Sequence, residues 1–212
     1  MIAENNASED FLSAQRPAPI LRPDTCGDYA TAFNALKWAF VFFLPLTIPG
    51  LREMPDFVAW LLILLALRRG AMGPSRWLRR ISRAGLLLSV LRVLSSRLVG
   101  VPVIILSLHV CCSALALLFV WELTGLIRRI SEGVSGAVGQ SARTGRMLFL
   151  LYVALLYLPA RALPVNEWAR LAVSVFVLAL SAFALCYMIA LMASTARMCN
   201  AEAEAETADV RN

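Results

Sequence analysis

Four side chains combine ionisable chemistry with apolar surroundings in this sequence: Asp56, Arg92, His109 and Glu122. Ionisable groups within long apolar runs are costly to bury, and they mark ion paths, proton relays or structural ion pairs. Asp56, His109 and Glu122 in series would suit a proton or cation path. Arg92 would pair with Glu122 if their helices pack antiparallel, which is a structural role. His109 also has a bland reading, in which Ser107, Ser113 and its own helix backbone satisfy it. Glu53, Asp56, Arg161 and Glu167 would matter together only if they converged on one outer pocket, as a membrane-bound enzyme acting on lipid would need.

Other chemistries lack their parts. The five cysteines, Cys26, Cys111, Cys112, Cys186 and Cys199, contain no C-x-x-C spacing, and the single histidine cannot complete a Cys/His zinc set. Their odd number and scattered spacing argue against a disulfide framework. Cys111-Cys112 reads as helix packing. Ser107 and His109 stand two residues apart, on different faces of a helix, so they do not make a nucleophile and its base. The glycines at 133, 136, 139 and 145 lack the Gly-Lys-Ser/Thr ending of a phosphate loop. No catalytic residue, cofactor or metal is assigned, and a non-enzymatic role is expected.

The elements that must position these residues are apolar helices. The chain is 59% hydrophobic with a mean hydropathy of +0.71, above the ~45–50% apolar content of soluble domains. Residues 35–48 and 57–67 form two apolar runs joined by a turn that contains Pro49, Gly50 and Pro55. A span needs about 20 helical residues, so each run needs its flanks. Lys37 can snorkel outward, and Arg68 and Arg69 can close the second run at the headgroups. Asp56 favours the positive end of the second helix. The pair reads as a helical hairpin, with a re-entrant dip as the alternative.

Arg76, Arg79, Arg80 and Arg83 repeat at i, i+3, i+4 and i+7, so they share one helix face, with Trp77, Leu78 and Ile81 opposite. They are read as anchors to anionic headgroups of the lipid bilayer. Residues 84–100 are apolar except for serines, Arg92 and Arg97, and either span the membrane or lie at its interface. Residues 103–120, a stretch beginning at Met147, and 171–193 supply further spans. Residues 131–145 read as a flexible connection.

Arginine positions weigh the topologies. With six spans, Arg52, Arg97, Arg161 and Arg170 fall outside. With five, Arg52, Arg128, Arg129, Arg143, Arg146, Arg197 and Arg211 do. The positive-inside bias favours six spans with both termini cytoplasmic. All five tryptophans, Trp38, Trp60, Trp77, Trp121 and Trp168, then sit near span ends, where interfacial rings belong. The net charge of +6 follows from that bias, and a nucleic-acid binder would need a soluble basic domain that is absent. The preference for arginine over lysine points to a GC-rich, bacterial source.

Within the last run, Ala182, Cys186, Ala190 and Ser194 recur every four residues. Such a stripe serves internal packing or a homo-oligomer contact, or takes a protein partner. Residues 1–32 are polar, without a signal-peptide pattern, and read as a disordered cytoplasmic tail. Residues 33–196 form the transmembrane domain, and 197–212 a disordered acidic tail.

The run Met54-Pro55-Asp56-Phe57-Val58-Ala59-Trp60 resembles the Leu/Ile-Pro-Asp-Phe-Ile/Val-Gly-Tyr turn of a helical hairpin in uncharacterised small bacterial multi-pass membrane proteins. Here Met54, Ala59 and Trp60 replace the aliphatic residue, the glycine and the tyrosine. The resemblance implies a multi-helix membrane fold and carries no function. The expectation is therefore an all-α, six-span bundle in a bacterial inner membrane (alternatively five-span). It serves as an accessory or scaffold subunit, or else as a small transporter or channel, or as a membrane-bound enzyme.

Overall fold

A computed structural model describes residues 23–43, 54–69, 76–98, 102–132, 134–156 and 166–209. They form six helices: α1 (Pro23–Phe42), α2 (Met54–Arg69), α3 (Arg76–Leu98), α4 (Pro102–Ser131), α5 (Gly136–Leu156) and α6 (Glu167–Asp209). No strand occurs among the described residues. Two helices are long and apolar enough to cross a membrane, with qualifying segments at Leu106–Ser131 and Glu167–Ala205.

Local sequence explains several boundaries. Proline suits a first helical turn, where its missing N–H would have had no partner, and Pro23 and Pro102 open α1 and α4. Asp56 lies in the first turn of α2 and Glu167 in that of α6, where carboxylates meet the positive end of the helix dipole. Arg128 and Arg129 occupy the last turn of α4, the complementary end.

Each helix packs on its neighbours in sequence, and α6 returns to pack on α1, so the six close into a ring. Cross-helix contacts fix the directions. Asp56, early in α2, pairs with Arg92, late in α3. Arg146, at the middle of α5, binds Trp121 and Thr124, in the second half of α4. Tyr187 of α6 donates to the carbonyl oxygen of Ser141, early in α5. Neighbours are therefore antiparallel around the ring.

The core lies inside this ring. The buried face of α1 carries Cys26, Tyr29, Phe33, Leu36 and Phe40, and that of α6 carries Leu185, Met188, Met192, Thr195 and Cys199. Both repeat at three- and four-residue steps, the period of one helix face. Buried hydroxyls on α3, α4 and α6 turn back to their own helices: Ser82 donates to the Leu78 carbonyl (2.7 Å), Thr124 to Val120 (2.7 Å) and Thr195 to Leu191 (2.8 Å). Those bonds remove the cost of burying a polar group.

Trp60 is the packing centre of the α1–α2–α3–α4 side. It is 1% exposed. Its ring meets Phe43 edge-on at 5.6 Å and Phe119 at 5.7 Å, geometries that aromatic quadrupoles favour. Gly85 of α3 lies against the indole, and a Cβ there would sit 2.5 Å from the ring. The interfacial position expected for Trp60 is thus corrected, whereas Trp38, Trp77, Trp121 and Trp168 are exposed.

Four boundaries differ from the sequence expectations. The arginine helix at 76–83 and the ambiguous run at 84–100 belong largely to one helix, α3, because nothing between Arg76 and Leu98 breaks it. Helix α1 begins at Pro23, within the stretch expected to be a disordered tail through residue 32. Helix α6 runs to Asp209, into the tail expected from 197, because alanine and glutamate are strong helix formers. The glycine-rich connection contracts to a turn: Val134 and Ser135 donate to the Ser131 carbonyl (3.2 and 3.1 Å), and α5 starts at Gly136. The hairpin turn with Glu53, together with Arg52 and Arg161, lies outside the described residues.

Candidate functional site

Six segments of the ring converge on one cavity of about 100 Å³. Asp56 and Trp60 reach it from α2 and Arg92 from α3. From α4 come His109, Cys112, Ser113 and Ala116; from α5, Phe149, Tyr152 and Val153; and from α6, Leu185. Phe43, just past α1, completes the wall. The spacings explain the convergence: 56 and 60, 109, 112, 113 and 116, and 149, 152 and 153 are each single helix faces.

Its polar centre is an ion pair. Arg92 donates through Nη1 to Oδ2 of Asp56 at 2.6 Å. The Arg92 side chain is 14% exposed and that of Asp56 33% exposed. Charge-assisted bonds of this length are the strong ones, and removing one partner from an enclosed pair leaves the other uncompensated. Arg92 was expected to pair with Glu122 if it paired at all, and the structure gives it Asp56 instead. His109 is half-buried and faces the same cavity, as does the buried thiol of Cys112.

Glu122 does not join them. It lies 13 residues beyond His109 on α4, about 20 Å along the axis. It lines a separate cleft of about 410 Å³ with Trp121, Arg128, Arg129, Glu132 and Arg146. The series Asp56–His109–Glu122 is therefore not assembled around one cavity. In that second cleft Arg146 stacks on Trp121, with Cζ 4.0 Å from the ring centroid. It also donates to the Thr124 hydroxyl (3.1 Å) and the Trp121 carbonyl oxygen (3.0 Å).

The second cleft belongs to a strongly basic end. Antiparallel packing gathers Arg68, Arg76, Arg79, Arg80, Arg83, Arg128, Arg129, Arg143, Arg146 and Arg197 there. Of the four expected lipid anchors, Arg76, Arg80 and Arg83 are exposed. Arg79 is half-buried, and its Nε is enclosed without a hydrogen-bond partner. Trp77 is exposed beside them, not buried with Leu78 and Ile81. Among side chains described at the opposite end, Arg92 is the one arginine.

The stripe Ala182, Cys186, Ala190 and Ser194 does not form the buried face of α6. Cys186 and Ala190 are exposed, and Ala182 and Ser194 are half-buried. No cluster of three or more metal-ligating side chains occurs among the described residues.

Sequence reasoning singled out Asp56, Arg92 and His109, which the cavity brings together, and missed Trp60, Cys112, Ser113 and Tyr152 beside them. The repeat of 109, 112, 113 and 116 was available as a signal, but it is faint in a helix apolar on every side.

Comparison with protein-family models, with characterised proteins and with solved structures gives no match.

Proposed function

We propose that this chain is a six-span protein of a bacterial inner membrane and that its ring carries a small polar solute across it. Both termini lie on the arginine-rich, cytoplasmic side. Large apolar side chains exposed around the ring support the membrane reading: Leu61 and Leu65 on α2, Leu87, Leu91 and Leu94 on α3, Leu150 and Leu151 on α5, Leu171, Val175 and Phe176 on α6. A surface that apolar on nearly every helix suits lipid and is rare in water. The arginine asymmetry supports the orientation. Helix α6, about 65 Å long, outruns a hydrocarbon core of roughly 30 Å and carries its acidic end, with Glu202 and Glu204, into the cytoplasm.

The observation that carries the transport reading over the accessory-subunit reading is the shared cavity. An imidazole facing the same solute-sized space as the Asp56–Arg92 pair supports a binding role beyond a structural ion pair alone. Transporter sites are built between helices, inside the bundle.

Solvent access tests the reading. In a variant retaining Cys112 alone, with Cys26, Cys111, Cys186 and Cys199 changed to alanine, a small water-soluble methanethiosulfonate should label Cys112 from at least one side of sealed vesicles. Protection from both sides would mean a sealed, structural cavity and would return the chain to the accessory class. Native mass spectrometry then gives the second arm. A stoichiometric partner protein identifies a subunit, and a monomer or homo-oligomer agrees with a carrier.

A further inference from the structure

We infer that the cavity binds a small monocarboxylate together with one proton, with Arg92 receiving the anion and His109 the proton. This inference rests on the carrier reading and names its solute class.

Charge decides between the candidate ligands. Among the described residues lining the cavity, Asp56 is the one carboxylate, and Arg92 already neutralises it at 2.6 Å. A metal cation entering would find no uncompensated acid and would meet the guanidinium. An isolated anion would leave a net negative charge in an enclosed, aromatic-walled space, which is costly. An anion that enters with a proton keeps the contents neutral.

An imidazole can take up and release a proton, and His109 is the one imidazole that faces the cavity among the described residues. The other ionisable groups facing the cavity are Asp56 from α2, Arg92 from α3, Cys112 from α4 itself and Tyr152 from α5. The described lining residues of α6 and the end of α1, Leu185 and Phe43, carry no charge. Arg92 uses Nη1 for Asp56. The planar guanidinium has further N–H groups, in the fork geometry that matches a second carboxylate. The volume suits a few water molecules or a solute of a few non-hydrogen atoms, which limits the anion to the size of formate or acetate.

The test is saturation-transfer NMR of acetate against the full chain in nanodiscs at pH 5.5, 6.5 and 7.5. Coupling to one proton means that affinity is highest where that proton is already bound and falls about tenfold per pH unit above that range. The wild type should follow that course. His109→Gln should bind weakly with no dependence on pH. Asp56→Asn removes the negative charge, so it should bind acetate at pH 7.5 at least as tightly as the wild type does at pH 5.5. Because Asp56→Asn also strips Arg92 of its partner and costs stability, His109→Gln alone is decisive if the aspartate variant does not fold. A flat wild-type profile, no acetate signal at pH 5.5, or wild-type pH dependence retained in His109→Gln would each overturn the inference. If Cys112 is labelled while acetate is not bound, the cavity serves another solute and the carrier reading stands; if Cys112 is sealed from both sides, both readings fail.

Discussion

Gly85 faces the indole of Trp60 so closely that a methyl group in its place would lie 2.5 Å from the ring. The contact joins α3 to α2 at the wall of the cavity. The side chain that must yield is 1% exposed and is wedged between Phe43 and Phe119. Gly85→Ala should therefore cost about 1–3 kcal/mol, the range for overpacking a filled core. Gly27 is the control, because a Cβ there meets nothing within 4 Å. Gly27→Ala should stabilise by roughly 0.5–1 kcal/mol through helix propensity. Thermal unfolding of the two variants in the same detergent should show shifts of opposite sign.

The Asp56–Arg92 pair predicts non-additivity. Arg92→Leu leaves Asp56 without its cation, and Asp56→Asn leaves Arg92 without its anion. Each single change should cost about 1–3 kcal/mol, below the range for a fully buried pair because the Asp56 side chain is 33% exposed. The double variant should recover a large part of that loss. Had Arg92 merely snorkelled to the interface, Arg92→Leu would have been silent. Accumulation in membranes and thermal stability across the four-member cycle decide between these outcomes.

Arg146 ties α5 to α4 by two hydrogen bonds and by stacking on Trp121. Lysine keeps the charge and loses the planar stack. Arg146→Lys should thus lose nearly as much stability as Arg146→Ala, about 1–2 kcal/mol. Full retention by lysine would assign the role to charge alone.

Orientation has its own test. A reporter fused at Gly139, in the first turn of α5 at the arginine-rich end, should report the cytoplasm. An extracytoplasmic signal there would sink the six-span arrangement.

The helical class was legible, and Asp56, Arg92 and His109 could be singled out one by one, because charges stand out against apolar runs. Their partners were not. Glu122 looked like a companion of Arg92 on the expectation that their helices pack antiparallel; the helices do, but the axial distance along α4, about 20 Å from His109, keeps Glu122 away. Trp60 looked interfacial because it starts an apolar run. What holds it inside is Gly85, 25 residues away on another helix, and no local pattern in the sequence encodes that approach. The tail expectations failed for a different reason. Composition marks solvation, and a helix of alanine and glutamate is both solvated and ordered when it continues a packed one.

The closure of the ring by α6 on α1 sets a timetable for assembly. Helices α2 to α5 each meet a sequence neighbour soon after synthesis. Helix α1 meets α2 early as well, but the part of its face that packs on α6 waits for the last helix. At translation rates of about 5–20 residues per second, that wait is on the order of ten seconds. Through that interval Asn34 and Lys37, which hydrogen-bond to each other on α1, are among the polar groups that the nascent first helix must carry.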